Sequence, residues 1–142
     1  MNGEVDAAFV DTNVLVYAFD RRHEPKTQTA KELLKQLTAT GRLRLSTQVL
    51  QELYPVLTCK GDPPYTPQEA LARLEYLSEW PIYINDYSAI RDAAVLSTEA
   101  MIPFWDALIV VAAARSGATV LYTEDFNHGQ TLLGVTVVNP FK

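Results

Sequence analysis

Residues 7–13 read Ala-Ala-Phe-Val-Asp-Thr-Asn. A short apolar run that stops at an acidic and a hydroxyl residue has the signature of a buried strand ending in a turn. After it, Thr12 to Asp20 carries Val14, Leu15, Tyr17 and Ala18 and reads as a short helix. Asp11 thus falls at the carboxyl end of the first strand. A side chain there has two ordinary uses. It can cap the following helix, or it can belong to a site, because open parallel sheets build their sites beyond the carboxyl ends of the strands. The residues alone leave both uses open.

Outward from this stretch, strands and helices alternate. Pro25 to Thr40 places Ala30, Leu33, Leu34 and Leu37 on one helical face, and Gly41 closes it. Leu43 to Leu45 is a brief strand. Ser46 is placed to cap a helix whose stripe is Val49, Leu50, Leu53, Val56 and Leu57. Lys60-Gly61-Asp62-Pro63-Pro64-Tyr65 is a connection, since its glycine and prolines break any helix. Thr66-Pro67-Gln68-Glu69 is a capping box with proline at the first helical position, opening a helix to about Trp80. Ile82 to Ile84 is a weak strand, and Asp86 caps a helix to about Ala100. A nearly all-apolar helix runs from Phe104 to Ser116 and stops at Gly117. Strands follow at Thr119 to Tyr122 and Val135 to Val138. This alternation predicts an α/β fold with a mainly parallel sheet.

The chain has 142 residues, which suits one domain spanning 1–142, with enough length to bury a core unaided. It holds one cysteine, Cys59, expected to be partly buried near a helix end, so no intramolecular disulfide forms. The polar start Met1 to Asp6 does not read as a signal peptide. The longest apolar run, Ala107 to Ala114, is well short of the ~18 residues that span a bilayer. A cytoplasmic protein without membrane insertion is expected. Twelve Lys plus Arg against 17 Asp plus Glu give a formal charge of −5. That excludes coating of nucleic acid by bulk positive charge. It leaves room for a nuclease, because a cation bound among carboxylates reverses the local sign.

Four acids stand out. Asp125 ends the strand-like segment Leu121-Tyr122-Thr123-Glu124-Asp125, although Asp125, Asn127 and Gly129 also suit a tight loop. Asp106 is the only charged residue between Phe104 and Ala114. A carboxylate in such apolar surroundings is costly unless paired or bound to a cation, while its place in the first turn also complements the helix dipole. Glu52 borders the apolar stripe of its helix, and by helical geometry alone it is a solvated flank residue. Glu124 should point to the opposite face from Asp125 if strand alternation continues. Carboxylates without a His or Cys ligand set describe a hard-cation site for Mg²⁺ or Mn²⁺. His23 and His128 both fall in expected loops. Gly-rich phosphate loops and a G-x-S-x-G elbow are absent from the sequence.

The segments Phe9 to Asp20, Gln48 to Leu53, Phe104 to Ile109 and Leu121 to Phe126 resemble, in order, the four motifs of PIN-domain nucleases. Order and length are similar to the VapC-type toxins of bacterial toxin–antitoxin pairs. The resemblance implies a PIN-like three-layer α/β/α sandwich. It makes Asp11, Glu52, Asp106 and Asp125 a catalytic and metal-binding quartet for Mg²⁺ or Mn²⁺. It also implies an RNA substrate cut to leave a 5′-phosphate, a VapB-type antitoxin, and a homodimer. Asn13 and Thr123 are expected to orient the carboxylates or water. Glu124 competes with Asp125 for the fourth position. Arg21, Arg22, Lys26, Lys31 and Lys35 either lead RNA to the pocket or form a solvated face. Two rival readings are a non-enzymatic PIN-like interaction module and a metal-dependent phosphohydrolase of small phosphate esters.

Overall fold

Among the described residues, six strands form one sheet in the order β3-β2-β1-β4-β6-β5. The protein is described by a computed structural model covering residues 6–22, 24–61 and 63–142. The expectations for Met1 to Val5, for His23 and for Asp62 lie outside the described residues. The elements are β1 (Ala7–Val10), α1 (Thr12–Ala18), α2 (Pro25–Ala39), β2 (Leu43–Ser46), α3 (Thr47–Cys59) and α4 (Pro67–Leu77). They continue with β3 (Ile82–Tyr83), α5 (Tyr87–Ala100), α6 (Phe104–Arg115), β4 (Ala118–Tyr122), β5 (Thr131–Leu132) and β6 (Val135–Val138). All pairings are parallel except β5 with β6.

The chain moves from β1 outward through β2 to β3, then returns across the sheet to β4 on the other side of β1. Right-handed crossovers put the helices of those two journeys on opposite faces. α6 packs on β2, β4 and β6 with α5 against it, while α1 packs on α2 and α3. The result is three layers, helix, sheet and helix. The reversal of direction makes the gap between β1 and β4 a topological switch point, where a crevice opens beyond the carboxyl ends.

Local chemistry explains the boundaries. All four residues of β1 are buried, as a central strand covered on both faces requires. α6 buries every residue from Ala107 to Ala113, which matches its lack of a polar face. Gly41 and Gly117 follow α2 and α6 at φ +70° and +79°, the left-handed conformation that glycine adopts at no steric cost. The capping box of α4 is complete: Thr66 Oγ1 accepts from Glu69 N–H at 3.2 Å, and Glu69 Oε1 accepts from Thr66 N–H at 2.9 Å. Thr66→Ala should therefore cost about 1 kcal/mol, read as a lower urea midpoint with an unchanged slope. An unchanged midpoint would show that the box adds nothing.

Two expectations need correction. Cys59 is the last residue of α3 but is exposed. The buried stripe of that helix is Val49, Leu53 and Leu57, and two further residues turn the side chain away from it. The sequence reading also passed over β5, which pairs with β6 through a tight turn at Leu133 and Gly134. Among the described residues, no single helix is long and apolar enough to cross a membrane.

Candidate active site

Asp11 begins where β1 ends. Its backbone N–H donates to Tyr122 O at 3.0 Å, tying it to the end of β4. The side chain is 5% exposed, and it caps α1 by accepting from Thr12 N–H at 2.7 Å. Its second oxygen, Oδ2, accepts from Thr123 Oγ1 at 2.8 Å. Both uses left open by the sequence are thus present in one residue: one oxygen caps the helix and the carboxylate still borders the crevice.

Thr123 is fully buried and organises the end of β4. Besides donating to Asp11, its hydroxyl accepts from Asp125 N–H at 3.1 Å and from Asn13 Nδ2 at 3.4 Å. Asn13 Oδ1 accepts from Glu124 N–H at 3.3 Å. Asn13 and Thr123 therefore stitch the start of α1 to the loop after β4. Asp125 is exposed beyond them, so the loop reading for it also holds.

Glu52 reaches the same place from α3. Its Oε1 accepts from Thr12 Oγ1 at 2.7 Å, and its Oε2 from Gln48 Nε2 at 3.3 Å. Glu52 is exposed, as helical geometry suggested, yet its exposure is to an open cleft of about 630 Å³. Asp11, Glu52 and Asp125 line this cleft together with Tyr17, Asp20, Arg22, Lys60 and Glu124. Asp106 sits half-buried in the first turn of α6 and is not part of that lining.

Electrostatics nevertheless join the four acids. Burial pushes the Asp11 carboxyl up from 3.8 to about 7. The hydrogen bonds from Thr123 and Thr12 oppose the rise, and the charges of Asp125 and Glu52 add to it. The Asp106 carboxyl is also raised, by burial first and then by Asp125 and Glu52. Negative charges that bear in this way on a buried carboxyl favour a shared cation. Among the described residues, no three His, Cys, Asp or Glu side chains are already drawn together closely enough to hold one ion. The acids stand around the cleft and do not form a finished cage.

Glu124 departs from the sequence expectation. The strand stops at Tyr122, so alternation no longer governs it, and its side chain lines the cleft with Asp125. It accepts from Tyr17 Oη at 3.1 Å and pairs with Lys26. Lys26 lies over the rings of Tyr17 and Phe141, at 5.2 and 5.4 Å. Of the other basic residues, Arg21 pairs with Glu69 at 2.8 Å and stacks over Tyr65. Arg22 holds Asp20 through its backbone N–H, Nε and Nη2, and keeps the Asp20 carboxyl low. Lys31 and Lys35 are exposed on α2, outside the cleft lining. Tyr17 in the cleft lining, and Gln48 holding Glu52, are contributions that the sequence reading did not single out. Only the spacing of Gln48 four residues before Glu52, one helical turn, carried a usable signal.

The PIN domain profile matches residues 8–131. The chain belongs to the PIN domain family. Among solved structures, a toxin–antitoxin complex from Klebsiella pneumoniae is 20% identical with a TM-score of 0.71, covering 94% of this chain and 98% of that one. A VapBC complex from Rickettsia felis bound to a DNA fragment from its promoter is 20% identical with a TM-score of 0.66, covering 92% and 96%. A sarcin–ricin-loop-cleaving VapC toxin from Mycobacterium tuberculosis is 20% identical with a TM-score of 0.61, covering 84% and 90%. No curated protein sequence matches the chain.

Proposed function

We propose that this chain is a metal-dependent endoribonuclease of the VapC type, acting as the toxin of a toxin–antitoxin pair, with residues 1–142 as one PIN domain. The observation that carries the reading is the position of Asp11. It is buried at the switch point of the sheet, its carboxyl pushed up to about 7, with the charges of Glu52 and Asp125 bearing on it. Membership of a nuclease family and structural likeness to an RNA-cleaving toxin support it.

Asp11, Glu52, Asp106 and Asp125 are the groups that would hold Mg²⁺ or Mn²⁺. The donor set fits such an ion: it is all oxygen, and Mg²⁺ commonly binds through one or two carboxylates while keeping several waters, so no closed cage is required. When bound, the cation lowers the pKa of water and neutralises charge developing on the phosphate. The protein's own residues do the positioning. Thr123 and Thr12 fix the two oxygens of Asp11, Thr12 and Gln48 fix those of Glu52, and Asn13 holds the loop that carries Asp125. A VapB-type antitoxin, RNA substrate, homodimer and cytoplasmic location follow from the same reading. Likeness to complexes described as VapBC and toxin–antitoxin supports the antitoxin.

The test is cleavage of a mixed RNA pool with Mg²⁺ or Mn²⁺. Cutting should vanish with EDTA and fall about 100-fold in Asp106→Asn, a loss of roughly 3 kcal/mol in transition-state stabilisation. No cutting with either ion, together with no heat in a Mn²⁺ titration, would defeat the reading in favour of an interaction module.

A further inference from the structure

Gln48 is 4% exposed, and it lies on the buried side of α3, against the first turn of α6. Its Nε2 donates to Glu52 Oε2 at 3.3 Å and to the backbone carbonyl of Trp105 at 3.2 Å. Trp105 is the residue before Asp106 in the first turn of α6. One amide therefore joins the carboxylate of one helix to the turn that carries the carboxylate of another. The orientation of the amide is fixed by its neighbours. Both are acceptors, so the NH₂ end must face them.

The other end of the amide has an unusual environment. Gln48 Oε1 is buried and has no hydrogen-bond partner among the described residues. A buried acceptor left unmade is destabilising, and an apolar side chain of the same shape would avoid it. For packing alone, glutamine is a poor choice at this position. For fixing Glu52 relative to Asp106 it is well suited. Glutamate here would repel Glu52, and an aliphatic residue has no donor.

We infer that Gln48 is a positioning residue for the divalent cation, holding Glu52 at a set place relative to Asp106 through the Trp105 carbonyl. The inference rests on the metal-dependent reading above. Thr12 steadies Oε1 of Glu52 from α1 and Gln48 steadies Oε2 from within α3, so the side chain is held by both oxygens before a cation arrives. Without Gln48, Glu52 keeps one anchor and regains rotamer freedom, and its link to α6 is lost. Residues that orient metal ligands typically influence affinity by about 10–100-fold.

Calorimetric titration of Mn²⁺ into the metal-free protein tests this, with Gln48→Met as the shape-matched variant. The metal-free melting temperature should be no lower than wild type, because an unpartnered acceptor is removed. Mn²⁺ affinity should fall about 10–100-fold, and excess Mn²⁺ should restore most of the RNA cleavage rate. Gln48→Asn, an amide one methylene too short to bridge, should show the same loss of Mn²⁺ affinity and serves if the methionine variant does not fold. Wild-type affinity in a folded variant overturns the inference and leaves the nuclease reading intact. So does an affinity loss that only tracks a loss of folded protein. If the wild-type chain itself binds no Mn²⁺, the metal-dependent reading falls, and this inference falls with it.

Discussion

Replacing Asp11 with asparagine is expected to slow RNA cleavage about a thousandfold, which corresponds to roughly 4 kcal/mol of lost transition-state stabilisation. Asp11 is the one acid of the four that is deeply buried, and it is held on both oxygens, so no neighbour can move in to replace it. The fold should survive. Asparagine is as good an N-cap as aspartate, so its Oδ1 keeps the bond from Thr12 N–H. Its amide meets Thr123 Oγ1, which can accept in place of the long 3.4 Å bond from Asn13. The metal-free variant should be more stable than wild type, because a buried carboxylate crowded by other acids has become neutral. Single-turnover cleavage and thermal melting, done side by side, check both halves. Undiminished cleavage by a folded Asp11→Asn protein would remove Asp11 from the chemistry.

The second large effect concerns pH. In the metal-free protein the Asp11 carboxyl is raised from 3.8 to about 7. The folded state therefore retains a proton that the unfolded chain has already released. Stability should fall as pH rises from about 4 to about 7, then level off, with a total loss of roughly 4 kcal/mol. Asp106 is raised too and contributes with the same sign. Asp20 and Glu69, whose carboxyls are lowered by Arg22 and by the Thr66 backbone N–H respectively, act in the opposite sense. Their contribution is lost only as pH drops below about 4, outside this window. Urea unfolding in EDTA from pH 4 to 8 measures the profile. Asp11→Asn should flatten most of the slope, and Mn²⁺ at pH 7.5 should recover the lost stability by binding the folded state alone. A level or rising profile between pH 4 and 7 in the EDTA-treated wild type would contradict the burial of Asp11 as described.

Much of this architecture was legible because local signals agreed with each other. Phe9 and Val10 announced a central strand, the box at Thr66 and Glu69 marked the start of a helix, and the unbroken apolar run after Asp106 marked a buried one. The acids at the ends of β1 and β4 were visible as a pair because strand ends are where parallel sheets gather their sites. What stayed hidden depended on contacts far apart in sequence. Glu52 looked solvated because helical periodicity ranks burial and says nothing of what a flank residue faces. Glu124 was assigned to the wrong side by a two-residue period that ended with Tyr122. Its pairing with Tyr17 and Lys26 crosses about a hundred residues, and nothing local to either partner signals it. β5 went unread because its turn uses Leu133 at φ +51° before Gly134, where a hairpin normally signals itself with Asn-Gly or Asp-Gly.

The placement of β4 between β1 and β6 has a consequence for biosynthesis. The segment at 118–125 supplies Thr123, Asp125 and the Tyr122 carbonyl on which Asp11 depends. A nascent chain that has released only its first hundred residues from the ribosome has β2 beside β1, together with α1, α3 and the acids Asp11 and Glu52, but lacks β4 on the other side of β1 to complete the crevice. Folding domains acquire such distant pairings late. The growing polypeptide therefore cannot assemble the crevice until the segment at 118–125 has been made, long after Asp11 and Glu52.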